Sequence, residues 1–204
     1  MLESSANGKS PLEVHRQATV GGPTADALWD LYCECYEPLL TTAAAAHRMC
    51  QSEFAERLAD PAVAKIVATR ASQPVAMAMM VTDLAKVPWV SEPFYRAHFG
   101  PDAPLWYFGA FAVVPAERRS LAAGRVLEAA VSWAAENQAV VCYDFADENT
   151  AMAQMPRAVE RFARRWGRPV SRCMSTQRFW AIWDVDWPGL PVEPSQVAPA
   201  LGVQ

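Results

Sequence analysis

The run Leu105–Val114, LWYFGAFAVV, constrains the fold more than any other stretch, because it carries almost no polar side chain on either alternation. A strand of this kind is covered on both faces and belongs inside a sheet. Pro115 ends it, having no N–H to give the ladder. From Leu121 the apolar period becomes helical. Leu127, Val131 and Ala134 make one stripe and Val126, Ala130 and Trp133 the next, while Arg125, Glu128, Ser132 and Glu136 form the polar face. Between strand and helix lies Glu117-Arg118-Arg119-Ser120-Leu121-Ala122-Ala123-Gly124. Its small residues and arginines stand where a helix start leaves N–H groups without partners, an arrangement that suits a bound phosphate.

A chain of 204 residues with 52% hydrophobic composition supports one sizeable core, and one domain is expected. The net charge of -4 argues against general affinity for nucleic acid or anionic membrane, so any basic site is local. The most hydrophobic runs, Pro74–Val81 and Leu105–Val114, are too short to span a bilayer, and no opening segment joins a cationic start to a long apolar stretch. A cytoplasmic protein is expected. Cys33, Cys35, Cys50, Cys142 and Cys173 form an odd set without a C-x-x-C pair, unlike a secreted disulfide framework. No metal site is expected: Cys33 and Cys35 point about 200° apart on a helix, and only His47 and Cys50 share a face.

In chain order, residues 1–10 read as a frayed leader and Leu12–Val20 as a first strand. A helix follows the Gly21–Thr24 turn and runs to Pro38; a second helical pattern within Thr41–Asp60 has Ser52 in cap position. Ala62–Thr69 and Pro74–Val81 read as a hairpin. Asp83–Pro104, with four prolines, is a long loop of the kind that wraps a ligand, and Glu92–Phe99 within it makes a short helix. Ala139–Ala146 is a further strand, followed by a helix from Asp147 to about Trp166. Val170–Ser175 and Arg178–Val185 are expected to close the sheet, and residues 187–204 form a proline-rich tail after a domain spanning 11–186.

The segment Arg119-Ser-Leu-Ala122-Ala123-Gly124 resembles the acyl-CoA-binding turn of the GNAT acyltransferase superfamily, whose Arg/Gln-x-x-Gly-x-Gly/Ala pattern sits at such a strand-to-helix junction. Ala122 stands in the first glycine's place. The order of elements from Leu12 to Val185 is similar to the same family. The resemblance implies an α/β fold of three layers, a mixed sheet splayed at its centre and flanked by helices. It implies acetyl-CoA or another acyl-CoA as co-substrate, with a small-molecule amine or amino-acid-like compound as acceptor. The acyl group would pass by direct attack of the amine. A homodimer is compatible with it.

The same resemblance assigns cofactor contacts to the backbone at Val113 and Val114, to Arg119, Ser120, Leu121, Ala122, Ala123, Gly124 and Arg125, and to Asn149. Gly124 would keep the backbone open to phosphate, or alternatively close to the sheet. Asn149 is equally a helix cap. Two family features are missing. No carboxylate lies in Leu105–Val114, and Met155-Pro156-Arg157 stands where many members place a tyrosine acid. Candidates for the chemistry are therefore Asp144, in an apolar run where burial would favour a neutral carboxyl, and Glu92 and His98 in the long loop beside aromatic residues. Trp89, Phe94, Tyr95, Trp106 and Phe108 line an apolar route or else pack the core. Arg157, Arg161, Arg164, Arg165 and Arg168 recur at helical spacing as a solvated face. The rival reading is a binding or scaffold module that keeps the fold without turnover.

Overall fold

The computed structural model describes residues 10–43, 48–145 and 155–176. Strand β1 is Leu12–Gln17, followed by helix α1, Pro23–Tyr36, the single turn α2, Leu39–Thr42, and α3, Gln51–Ala59. Strands β2, Val63–Arg70, and β3, Gln73–Val81, form the anticipated hairpin. The long connection holds a short 3-10 turn, Leu84–Lys86, and α4, Glu92–Phe99. Then come β4, Leu105–Val113, a 3-10 turn at Pro115–Glu117, α5, Ala122–Glu136, β5, Val140–Cys142, and α6, Met155–Ala163.

The strands lie in the order β1-β2-β3-β4-β5, antiparallel up to β4 and parallel between β4 and β5. Two apolar layers cover the sheet. One face packs on α1 and α3 through Leu28, Leu31, Tyr32, Phe54 and Leu58; the other packs on α5 through Val126, Ala130 and Ala134. This is a three-layer α/β architecture with a mixed sheet, as expected. The apolar run is indeed covered on both faces, with Tyr107 and Ala112 facing α1 and Trp106, Phe108 and Val113 facing α5.

Several boundaries differ from the sequence expectations. Gly22, within the expected turn, caps α1, and Cys50, not Ser52, occupies the cap position of α3, where its N–H donates to Glu53 (2.8 Å). The strand expected over Ala139–Ala146 is only Val140–Cys142. Val170–Ser175 is not a strand, because its backbone bonds back to α6, with the Ser171 N–H donating to Glu160 Oε1 at 2.8 Å. The leader up to residue 9, His47, Asn149, the expected strand Arg178–Val185 and the tail 187–204 lie outside the described residues. No helix among the described residues is long and apolar enough to cross a membrane.

A buried lysine and a half-buried arginine fix the frame. Lys65 is 1% exposed on β2, and its Nζ donates to the Ala18 and Asp60 carbonyls, both at 2.8 Å, which ties the end of β1 to the α3–β2 connection. Arg70, at the far end of β2, meets the buried carboxylate of Glu117 through two bonds of 3.1 Å and also donates to the Ser10 carbonyl. That pair holds the turn after β4 against the sheet.

Desolvation lowers the Lys65 ammonium to about 8, against an opposing pull from Asp60. Between that value and the ordinary lysine value of about 10.4 the unfolded chain binds more protons than the folded one, so stability rises with pH across this window, by at most about 1.4 kcal/mol per unit. A neutral amine still has two N–H groups for the two carbonyls. Urea midpoints followed through that window should lose this rise in Lys65→Met relative to the parent; equal slopes in the two proteins would refute it. Arg70→Ala removes the two bonds that the buried Glu117 carboxylate accepts from the guanidinium and should destabilise by roughly 2–3 kcal/mol, read as a lower urea midpoint at unchanged slope.

Candidate functional site

Strand β5 pairs with β4 only from Leu105↔Val140 to Tyr107↔Cys142. Beyond Tyr107, β4 runs on to Val113 with no partner from β5, so among the described residues the sheet opens along this edge. A bulge accompanies the opening. Ala78 faces Phe111 while Met80 faces Phe108, which places an extra residue of β4 in the Gly109–Ala110 region. Alternation slips there, and Phe108 and Phe111 lie against each other with ring centroids 5.7 Å apart.

The register decides which backbone groups face the opening. Val114 donates its N–H to the Val75 carbonyl at 3.0 Å, so the Val113↔Ala76 pair is of the non-hydrogen-bonded kind. Val113 and Phe111 consequently turn their N–H and C=O groups away from β3, into the gap. Val114 cannot share this role, since its C=O also accepts from the Glu117 N–H at 2.9 Å. Phe111, which the sequence did not single out, takes its place. Two side chains of α1 reach this edge. The Tyr36 hydroxyl accepts the Phe111 N–H at 3.1 Å, and the Cys35 thiol donates to the Val113 carbonyl at 3.3 Å beside the Arg118 guanidinium. Burial raises the Cys35 thiol above its ordinary value.

At the end of this edge stands the cationic turn. Glu117 is neutralised by Arg70, and Arg118, Arg119 and Arg125 are exposed. Ser120 turns inward, its Oγ accepting the Ala122 N–H at 3.0 Å, and Leu121 projects into solvent. The helical bonding of α5 begins with Arg125 N–H to the Leu121 carbonyl (2.9 Å), so the N–H groups of Ala123 and Gly124 have no partner within the helix. The first turn contains no acidic residue. A Cβ added at Gly124 would meet only Phe162 Cζ of α6, at 3.9 Å, an ordinary contact. Packing against the sheet therefore does not require glycine there; openness toward solvent remains as its reason.

At the base of the opening Tyr107 donates its hydroxyl to Asp144 Oδ1 and accepts from Trp89 Nε1 at 3.1 Å. Asp144 is not the buried strand residue expected from the sequence: it lies two residues past β5 and is exposed. Its charge acts on three tyrosines from three elements. Desolvation is the first cause that raises Tyr36 of α1, Tyr95 of α4 and Tyr107 of β4 above the ordinary phenol value; Asp144 follows it directly for Tyr107, comes after Cys142 for Tyr95, and comes after Tyr32 and Cys35 for Tyr36. Burial also pushes the Cys142 thiol up to about 11. These phenols stay protonated at neutral pH and serve as hydrogen-bond donors.

Glu92 and His98 sit elsewhere on α4. Glu92 Oε1 accepts from Arg96 at 2.9 and 3.0 Å, and Arg96 in turn donates to the Pro101 and Ala103 carbonyls, fastening the helix to the loop after it. His98 is exposed, with Nδ1 at 2.8 Å from the Phe94 carbonyl. Neither bonds to the Asp144 cluster. Trp106 and Phe108 are core residues, whereas Trp89 and Phe94 keep an exposed face. Tyr36 and Tyr107 were the residues sequence reasoning missed. Tyr107 carried a signal, since a hydroxyl in a run buried on both faces needs a partner. Tyr36 carried none, being one more large residue on the apolar stripe of α1.

No protein-family model matches the sequence, and no curated protein does. Solved structures do. The aminoglycoside N-acetyltransferase AAC(6')-Iy in complex with CoA superposes with a TM-score of 0.53 at 14% identity, over 84% of this chain and 97% of that one. The apo aminoglycoside 6'-N-acetyltransferase AAC(6')-IG from Acinetobacter haemolyticus gives 0.53 at 17% identity, over 84% and 99%. The ribosomal-protein-S18-alanine N-acetyltransferase from Escherichia coli gives 0.50 at 11% identity, over 72% and 76%. At such identities the shared property is the fold, and the fold of this chain is that of the GNAT N-acetyltransferases.

Proposed function

We propose that the chain is an acyl-CoA-dependent N-acyltransferase acting on a small-molecule primary amine. The observation that carries this reading is the open edge of β4, whose outward-turned groups at Phe111 and Val113 lead directly into a cationic turn and the unfilled first turn of α5. An extended amide-bearing arm can pair with such an edge as a further strand would. The Arg118, Arg119 and Arg125 guanidinium groups and the Ala123 and Gly124 N–H groups suit the phosphates that end it. Bound acyl-CoA supplies an electrophilic thioester carbonyl. The structural neighbours support the same class, since AAC(6')-Iy is known in complex with CoA and with the bisubstrate analogue CoA-S-monomethyl-acetylneamine.

Asp144 is the group we assign to the acceptor. It is an exposed carboxylate oriented by Tyr107, which Trp89 orients in turn, and it can hold an ammonium and take its proton before attack. Burial favours the neutral form of all three phenols, so we assign them as hydrogen-bond donors rather than as acids toward a departing thiolate. Solvent protonates the thiolate, which is consistent with Met155 standing where a tyrosine acid was sought. The second reading, a fold-retaining module without turnover, draws on one observation: Tyr36 and Cys35 already occupy the β4 edge.

Melting with and without acetyl-CoA separates binding from its absence. Ligand at about a hundred times its dissociation constant adds roughly 2.7 kcal/mol, and no rise with any acyl-CoA tested would reject both readings of the cofactor. Gly124→Val should remain folded, given the space around the position, yet bind acetyl-CoA at least about tenfold more weakly; parent-like affinity would remove the turn from the site. Asp144→Asn should lower amine acylation by roughly 10²-fold or more while acetyl-CoA still binds. A parent protein that binds acetyl-CoA but acylates no amine favours the module.

A further inference from the structure

We infer that the Tyr36 hydroxyl donates the hydrogen bond that polarises the acyl carbonyl oxygen in this chain, relaying to it the N–H of Phe111. The inference rests on the acyltransferase reading of the β4 edge and adds a catalytic residue to it.

The geometry has three parts. Phe111 is the β4 residue just past the bulge whose backbone turns into the opening, so its N–H stands where a carbonyl oxygen entering the gap would be received. That N–H is already given, at 3.1 Å, to Tyr36 Oη. Among the described residues the phenol's own hydrogen finds only the Phe111 carbonyl at 3.5 Å, the outer limit of a hydrogen bond, and turns without loss to a better acceptor. A hydroxyl that accepts one strong bond donates its own hydrogen more strongly, so the relay sharpens the donor.

The ring is fixed before any ligand arrives. Tyr36 stacks on Tyr32 with centroids 4.3 Å apart and an interplanar angle of 23°; Tyr32 is fully buried, touches Trp29 and Phe54, and its hydroxyl accepts the Met49 N–H at 2.9 Å. A donor held by packing needs no reorganisation as charge develops on the oxygen, which is the condition for a large effect on rate. The titratable groups facing Tyr36 are Tyr32 and Cys35 on α1 and Asp144 after β5, and with burial they keep it neutral through the working range. It acts as a donor and never as a proton source.

The bonds balance accordingly. Asp144 takes one proton from the acceptor ammonium, freeing the nitrogen lone pair that forms the new C–N bond. Tyr36 steadies the oxygen while the carbonyl π pair rests on it, and the C–S bond then breaks with its pair on sulfur. Of the three ammonium hydrogens, one remains on the amide, one is matched by the proton that water gives the thiolate, and one is released.

Tyr36→Phe keeps the stacked ring and removes only the hydroxyl. In it, kcat for amine acylation should fall by about 10²-fold while the dissociation constant for acetyl-CoA stays within about threefold. The infrared carbonyl stretch of bound acetyl-CoA should be red-shifted in the parent and return toward its solution frequency in the variant. Parent-like kcat and carbonyl frequency in Tyr36→Phe would overturn the inference. The parent alone also tests it, without any variant: acetyl-CoA that raises the melting temperature but shows no red shift refutes the polarising role while leaving the acyltransferase reading intact. Acetyl-CoA that does not bind at all overturns both.

Discussion

The extra residue that β4 carries between Phe108 and Phe111 is the constraint on which the rest of the molecule depends. Were β4 regular, its alternation would run unbroken from Leu105 to Val113. The bulge absorbs one residue, so Trp106 and Phe108 on one side of it and Phe111 and Val113 on the other all face α5, and Tyr107 and Ala112 all face α1. Both core layers are thus completed by a strand that changes direction in the middle. The same change lets β5 part from β4 after Tyr107, because a bulged strand bends and twists away from its neighbour. Core and cleft are two results of one irregularity.

Charge is distributed so that the cleft has two unlike ends. At the α5 end Arg70 binds Glu117 from β2, and the exposed Arg118, Arg119 and Arg125, the last bridged to Glu128 at 3.3 Å, make the turn cationic on balance. At the base, Asp144 faces three neutral phenols that can only donate to it or to a ligand. An anionic ligand entering from the arginine side and a cationic one from the Asp144 side would each meet its complement, on a chain whose overall charge is only -4. Net charge alone conveys none of this.

How much could be read beforehand follows from what each signal measures. Hydrophobic period located β2, β3, β4 and α5 to within a residue or two, because each is a continuous segment with one buried stripe or two buried faces. It overran β5, since Tyr143 and Phe145 look like strand residues although the ladder ends at Cys142. It also made a strand of Val170–Ser175, where the partner is a side chain of α6 and no period reports it. The turn at Arg119–Gly124 was legible because its chemistry is local and its residues are consecutive. Asp144 was legible as a carboxylate but not in its surroundings. Tyr36 lies far from Phe111 in sequence, and a contact across that separation leaves no trace in either segment.

A buried tyrosine hydroxyl has two ways to be satisfied, by a partner in the core or by one in the cleft, and the three here divide along that line. Tyr32 bonds to the Met49 backbone and is closed off from solvent. Tyr107 bonds to Asp144 and Trp89, so both of its functions as acceptor and donor are filled. Tyr36 has a well-placed donor bonded to its oxygen and, among the described residues, only a 3.5 Å contact for its hydrogen, and unlike Tyr32 it stands at the edge of the sheet. One stack of aromatic rings thereby carries a hydrogen-bond donor from the α1 layer across to the open edge of the sheet. The absence of a carboxylate in β4 and of a tyrosine at Met155 does not leave the cleft without chemistry, because the polar groups enter it from α1 and from beyond β5 instead.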